Sequence, residues 1–159
     1  MDSTHQDAVD LAETSVQRAQ AVIEQVGPER DGPCPCEGWT VASHAAAAAD
    51  FFTAFRAADP DGQAPGPLGV PMGMTDQANL RAMDSTLNTW DLAEALGVDH
   101  GIDTDQAERV LAFATDFLPR VRDTDAGGHT RFAETSTSGS AGDPLTDLIL
   151  LSGRRLNWR

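Results

Sequence analysis

Three polar residues, Asp84, Asn88 and Asp91, are spaced so that they would share one stripe of a helix. Separations of four and three residues bring side chains to the same helical face. A carboxylate beside an amide can do acid–base chemistry, in which the carboxylate moves a proton and the amide orients a carbonyl or hydroxyl group. The alternative for this stripe is a solvated helix face.

The two cysteines offer a second candidate chemistry, either a metal clip or a redox pair. Cys34 and Cys36 are separated by one residue, so a bond between them would be strained. A tetrahedral metal site needs three or four ligands, and the neighbouring sequence offers prolines instead. We therefore interpret Cys36 as part of a loop and expect a reducing compartment.

The sequence before the polar stripe predicts two helices and a long irregular connection. Apolar residues recur every three or four positions over residues 7–26, which is typical of an amphipathic helix, and Gly27-Pro28 ends it. Thr40 is a suitable N-cap for a second helix that runs to residue 59. Four prolines and four glycines among residues 59–74 exclude regular structure there. A connection of that length lets the chain cross a helical bundle.

The third predicted helix carries the polar stripe. Thr75 or Asp76 can cap its start, and Gly97 stands where a helix end favours a left-handed residue. Asp103, followed three residues later by Gln106, resembles the capping box of a fourth helix. The pattern thus predicts four main helices.

The C-terminal part of the chain predicts a loop and one short helix. Residues 123–142 are rich in Asp, Gly, Ser and Thr and contain one short candidate strand at residues 130–133. Asp143-Pro144 supplies an N-cap and a first helical proline, and Gly153 closes the helix. Neither an internal repeat nor a domain boundary interrupts the pattern. We therefore predict one all-α domain over residues 1–159.

The charge balance limits the partners. The chain has 25 acidic residues against 11 basic ones, a formal net charge of −14. Nucleic acids and anionic membrane surfaces attract basic proteins, so both are excluded as partners. The longest apolar run is too short for a membrane span, and the first residues lack the basic region of a secretory signal. We expect a soluble, cytoplasmic protein.

Several segments match a known pattern in the same order along the chain. They are Pro-Cys-Glu-Gly-Trp-Thr-Val at 35–41, Thr-Trp-Asp-Leu-Ala-Glu-Ala-Leu-Gly at 89–97, Arg-Phe-Ala-Glu at 131–134, Asp-Pro-Leu at 143–145, and Gly-Arg at 153–154 with Trp158. Together they resemble the DinB-like family, which includes the N-terminal domain of mycothiol-dependent maleylpyruvate isomerase. The resemblance implies a four-helix bundle with a long crossover, and for Asp91 it implies a structural role.

The resemblance also implies a divalent metal on three side chains: a histidine on the second helix, and a carboxylate and a histidine four residues apart on the third. The matching positions are Ala47, Asp84 and Asn88, so one competent ligand of the three is present. Zinc and nickel favour imidazole and thiolate over an amide. His44 and Asp50, three residues to either side of Ala47, are candidates for a displaced ligand. We predict neither metal nor cofactor, with a divalent metal and mycothiol as the alternatives.

In the implied bundle, Asp84 and Asn88 point into a central cleft opposite Ala47, where burial prepares a carboxyl group for proton transfer. We therefore predict a small-molecule enzyme with metal-independent acid–base chemistry, of isomerase, cyclase, lyase or transferase type, in specialised or thiol metabolism. The alternatives are a non-catalytic binding or accessory protein and a metal-dependent, mycothiol-using member with displaced ligands. The predicted catalytic residues are Asp84, Asn88 and His44, and the predicted substrate contacts are Ala47, Asp50, Phe51, Trp90 and Asp91.

Some of these residues have simpler alternatives. Trp90 and Phe51 can instead pack in the core, because buried aromatic side chains dominate packing energy. His44 can be a surface side chain near the start of a helix. The predicted partner is a small-molecule substrate, and an apolar bundle face can also support a homodimer.

Overall fold

The computed structural model describes residues 3–25, 56–66, 71–123 and 142–156. This part of the chain contains α1 (Ser3–Glu24), β1 (Gln63–Pro65), β2 (Pro71–Gly73), α2 (Met74–Leu96), α3 (Thr104–Asp123) and α4 (Pro144–Leu151). The prediction of an all-α class is therefore confirmed. Residues 40–55 of the predicted second helix and the strand predicted at 130–133 lie outside the described residues. Within these ranges, every helix is too short or too polar to cross a bilayer.

The chain divides into two compact units, Met1–Ile102 and Asp103–Arg159. The first unit holds α1, the two strands and α2, and the second holds α3 and α4. In the first unit α1 packs on α2, and in the second α3 packs on α4. One domain over residues 1–159 stays a prediction.

The seam between α1 and α2 is apolar, as the spacing of apolar residues in both helices predicts. Leu87 in the middle of α2 is 1% exposed, and Ala12 of α1 is fully buried. Burial of such side chains is the main source of stability in a helical unit. The buried apolar residues are Ala8, Val9, Leu11, Ala12, Val16, Val22 and Ile23 on α1 and Ala78, Ala82, Met83, Leu87, Trp90 and Ala93 on α2.

The helices α1 and α2 run in the same direction. Near the start of both helices His5 Nδ1 lies 3.1 Å from Thr75 Oγ1, and further along both Thr86 Oγ1 donates to Ser15 Oγ at 3.4 Å. The two contacts are ten residues apart on α1 and eleven on α2, so the helices advance together. Parallel neighbours need a long connection, and the residues between Glu24 and Met74 supply it.

Two buried hydroxyl groups, one on α1 and one on α2, donate hydrogen bonds to backbone carbonyl groups of their own helix. Ser15 Oγ donates to the backbone carbonyl of Leu11 at 2.8 Å, and Thr89 Oγ1 donates to that of Ser85 at 2.7 Å. A buried hydroxyl without a partner costs about 1–3 kcal/mol. These bonds therefore allow small polar residues where the two helices approach each other.

The start of α2 differs from the prediction that Thr75 or Asp76 caps it. The helix begins at Met74, and its N-cap is Gly73, which has an extended backbone with φ −60° and ψ 149°. Thr75 lies against His5 instead. Asp76 lies in the first turn, where a negative charge favours the helix dipole. The boundary is set by β2, which ends at Gly73.

The end of α2 confirms the prediction for Gly97, which adopts φ +68° and donates its backbone N–H to the carbonyl of Ala93. We expect Gly97→Ala to lower the free energy of unfolding by about 1 kcal/mol, because a Cβ is disfavoured in the left-handed region. Urea denaturation measures this loss. Gly97→Asn is the control, since asparagine tolerates the left-handed region; an equal loss in both variants would contradict the explanation.

The prediction that residues 59–74 have no regular structure is wrong. β1 pairs antiparallel with β2, with Gln63 opposite Gly73 and Pro65 opposite Pro71. Proline lacks a backbone N–H, and it is tolerated at the end of a short ladder, which is where both prolines stand. The high proline and glycine content of residues 59–74 was therefore a misleading signal, because the segment contains two strands of three residues each.

The second unit confirms two predicted helix starts. Asp103 Oδ1 accepts a hydrogen bond from the backbone N–H of Gln106 at 2.9 Å. Asp143 Oδ2 accepts one from the backbone N–H of Thr146 at 2.9 Å, and Pro144 is the first residue of α4. The buried apolar residues are Ala107, Val110, Ala114, Phe117 and Leu118 on α3 and Leu148, Ile149 and Leu150 on α4.

The C-terminal end of α4 also follows the prediction. Gly153 adopts φ +84° and donates its N–H to the carbonyl of Leu150 at 3.0 Å. Arg122 of α3 donates to the carbonyl of Leu151. Carbonyl groups of the last turn lack partners within the helix, so both bonds stabilise its end.

Arg56 forms ion pairs with two acidic residues of α1 within the first unit. Its guanidinium group donates to the carboxylate of Glu13 and to Asp10 Oδ1, the latter at 3.1 Å. The hydrogen bond to Glu13 raises the pKa of Arg56 above its ordinary value. All three side chains are exposed to solvent, so the contact positions the chain and adds little to stability.

Candidate functional site

A groove lies between α1 and α2 in the first unit. The space inside it that water can occupy is about 30 Å³, which is room for about two water molecules. Its described wall on α1 is mainly apolar, and its described wall on α2 is mainly polar. The described residues that line it are Val16, Ala19, Gln20 and Ile23 on α1 and Arg81, Ser85, Asn88 and Leu92 on α2.

The groove has a charged end and an apolar end. Arg81, Ser85 and Asn88 are four and three residues apart, so they lie on the same side of α2. Leu92 follows on the same stripe as the last lining residue of α2, and Ile23 is the last on α1. Because the two helices run in the same direction, Ile23 and Leu92 lie towards one end of the groove and Arg81 lies towards the other.

The structure places Asp84, Asn88 and Asp91 on α2, and all three are half-buried. Asn88 lines the groove, whereas Asp84 and Asp91 are absent from its described lining. Four residues of helix put Asp84 about 6 Å before Asn88 along the axis and about 40° around it. A ligand held at Asn88 reaches Asp84 by extending slightly more than one helical turn along this edge of α2.

The other predicted site residues fall in two groups. Trp90 is 8% exposed and is one of the buried apolar residues of α2. His44, Ala47, Asp50 and Phe51 lie outside the described residues. The catalytic and substrate-binding roles of these four residues therefore remain predictions.

The two histidines within the described ranges have structural contacts. His5 is 2% exposed and lies against Thr75. His100 Nδ1 accepts a hydrogen bond from the backbone N–H of Ile102 at 3.0 Å, which holds the turn after α2. Neither histidine lines the groove. The polar side chains in the described lining of the groove offer amide, hydroxyl and guanidinium groups.

The metal that the family resemblance implies does not fit the described donors. On α2 the matching positions are Asp84 and Asn88, which offer one carboxylate and one amide. Among the residues that the structure describes, there is no group of three His, Cys, Asp or Glu side chains that could hold an ion. The amide of Asn88 is better suited to hydrogen bonding than to a metal that favours imidazole or thiolate.

The described walls of the groove can hold a polar ligand in one orientation. Arg81 is the one ionisable side chain among the described lining residues. Its guanidinium group presents several donors in a planar fork that matches a carboxylate. Asn88 and Gln20 each offer an amide that can donate and accept. A carbonyl or hydroxyl group of a bound molecule would find hydrogen-bond partners in these amides.

Among the described lining residues only Asn88 was predicted as a site residue, and the polar residues Arg81, Ser85 and Gln20 were not. The signal for the first two was present, since extending the stripe from Asn88 back by three and seven residues reaches Ser85 and Arg81. No such signal exists for Gln20. Its place in the groove depends on which face of α1 meets α2, and that is set by contacts between residues some seventy positions apart.

Comparison with protein-family models, with curated proteins and with solved structures finds no match for this chain.

Proposed function

We propose that this chain is a small-molecule enzyme with metal-independent acid–base chemistry on a DinB-like helical scaffold. The observation that carries the proposal is the groove between α1 and α2, which Asn88 lines about 6 Å along the helix from the half-buried Asp84. The resemblance of residues 35–41 and 89–97 to the DinB-like family supports the scaffold.

In the proposed reaction Asp84 is the acid and base, and Asn88 positions the substrate. The carboxylate of Asp84 takes a proton from a carbon next to a carbonyl group, and the side-chain amide of Asn88 donates a hydrogen bond to the carbonyl oxygen as negative charge develops there. Asp84 then returns the proton to the same or to a neighbouring carbon. Return to a neighbouring carbon gives an isomerase, and loss of a leaving group from the intermediate gives a lyase.

A second candidate is a non-catalytic binding protein. It is favoured by one observation, which is that Asp84 does not line the described part of the groove, whereas Gln20, Arg81, Ser85 and Asn88 do. A binding protein needs these four polar side chains and the apolar wall, but it needs no group that moves a proton. The two candidates therefore differ in whether a bound ligand exchanges hydrogen with solvent.

Solvent hydrogen exchange tests the proposed function without knowledge of the natural substrate. The protein is incubated in D₂O with 2-oxo acids, 1,3-diketones and unsaturated acids of increasing chain length, and loss of the C–H signals is followed by proton NMR. We expect exchange next to the carbonyl group of at least one compound, at a rate proportional to protein concentration. Binding without exchange for every compound would support the binding protein and contradict the enzyme.

A further inference from the structure

We infer that the connection between α2 and α3 is a pH-sensitive turn, which is closed while His100 is neutral and opens when its imidazole takes up a second proton. The connection consists of residues 97–103, between the end of α2 and the start of α3. None of these residues belongs to the described lining of the groove between α1 and α2. The inference is therefore independent of the proposed function.

Two consecutive side chains of the turn each accept a hydrogen bond from a backbone N–H two residues ahead. Asp99 Oδ1 accepts from the N–H of Gly101 at 2.9 Å, and His100 Nδ1 accepts from the N–H of Ile102 at 3.0 Å. Gly101 adopts φ +64°, a left-handed conformation that lets the chain turn sharply. The imidazole thus holds the turn closed in the way that asparagine and aspartate side chains usually do.

The hydrogen bond to His100 requires a neutral imidazole. A neutral ring has one nitrogen that donates and one that accepts, so a ring that accepts at Nδ1 carries its proton on Nε2. The doubly protonated ring donates at both nitrogens and accepts at neither, so protonation removes the bond from the Ile102 N–H. A carboxyl group keeps an acceptor oxygen in either protonation state. The neighbouring bond to Asp99 therefore lacks this sensitivity.

The position of Ile102 turns the loss of this bond into a change of the backbone. Ile102 is the last residue of the first compact unit, and its side chain is 9% exposed. Burial of the side chain holds this part of the backbone away from water while the turn is closed. A backbone N–H in such a place is unfavourable without an acceptor. The turn therefore opens, and the Ile102 N–H takes water as its partner.

Solvent reaches the imidazole without unfolding of the chain. His100 lines an open hollow of about 250 Å³ within the first unit, together with residues of α1. The described charged groups around His100 are Arg18 of α1 and Asp99, which line the same hollow, and Asp103, three residues further along the chain. Imidazole is the side chain whose charge ordinarily changes between pH 5 and 8. We therefore expect the turn to respond in this range.

Amide exchange of Ile102, measured across the titration of His100, tests the inference. NMR of the ¹⁵N-labelled protein gives the protonation state of the imidazole nitrogens and the protection factor of each backbone amide against exchange with solvent. We expect the neutral ring to carry its proton on Nε2. The protection factor of Ile102 should fall about threefold to tenfold between pH 8 and pH 5, with the same midpoint as the ring. Gln106, whose N–H is bound to the Asp103 carboxylate at 2.9 Å, should keep its protection.

Two variants of His100 separate its titration from that of other groups. His100→Asn supplies an acceptor that does not titrate, because asparagine accepts from a backbone N–H two residues ahead in the same kind of turn. Ile102 should therefore be protected in this variant at both pH values. His100→Phe keeps a ring without an acceptor, so protection should be low at both. The buried His5 is present in both variants, and a pH response caused by it would persist in His100→Asn.

Three results would overturn the inference. The first is an Ile102 amide that is unprotected at pH 8 or equally protected at pH 5. The second is a fall in protection that persists in His100→Asn, because the response would then belong to another group. The third is equal protection of Ile102 in His100→Phe and in the wild type at pH 8, because the imidazole would then not be the acceptor that closes the turn.

Discussion

Asp84→Asn should lower the rate of substrate hydrogen exchange with solvent by a factor of about 10²–10⁴, which is the usual contribution of a positioned acid or base. The substitution keeps the size of the side chain and removes its ability to hold a proton. Asp84 is half-buried on α2 rather than part of the fully buried seam, so we expect helicity and melting temperature to change little. Proton NMR in D₂O measures the rate, and circular dichroism measures the fold.

Asp76→Asn is the matched control for this variant. Asp76 lies on the same helix, in its first turn, and its side chain is exposed. The control should exchange substrate hydrogen at the wild-type rate. A rate for Asp84→Asn within about threefold of wild type would remove Asp84 from the proposed mechanism, since a contribution from general acid–base catalysis is much larger than that.

Leu87→Ala should lower the free energy of unfolding of the first unit by about 3 kcal/mol. Leu87 is 1% exposed near the middle of α2. Truncation removes buried apolar surface and leaves a cavity that the packed side chains around it cannot fully close. Urea denaturation monitored by circular dichroism measures the loss.

Leu96→Ala provides the comparison, because it makes the same chemical change at the other extreme of burial on the same helix. Leu96 is 40% exposed, so the loss should be within about 0.5 kcal/mol. Similar losses for the two variants would contradict the explanation that burial sets the cost of truncating a leucine of α2.

Helix ends were predictable from the sequence where their signals are local. Asp103 and Asp143 each accept a hydrogen bond from a backbone N–H three residues ahead, and Gly97 ends α2 in the left-handed region. Each of these features depends on residues within one turn of the helix end. Thr75 has the same local signal but contacts His5 instead. A local sequence pattern carries no information about a contact with a residue seventy positions away.

The candidate site was predictable only in part, for the same reason. Spacing alone places Asp84 and Asn88 on one face of α2, and the structure has both on that helix. The partner of that face was not predictable. The contact between Ser15 and Thr86 fixes the direction of α1 and brings Gln20 to the groove. The opposing helix that the family resemblance implies, at residues 40–55, lies outside the described residues.

The most direct test of the proposed function is a crystal structure of the protein with a compound whose hydrogen it exchanges with solvent. We predict that the ligand occupies the groove between α1 and α2 and contacts Asn88. A carboxylate oxygen of Asp84 should lie within about 3 Å of the reacting carbon or of a water bound to it. A ligand bound elsewhere, or one whose reacting carbon neither the Asp84 carboxylate nor a water bound to it can reach, would contradict the proposed function.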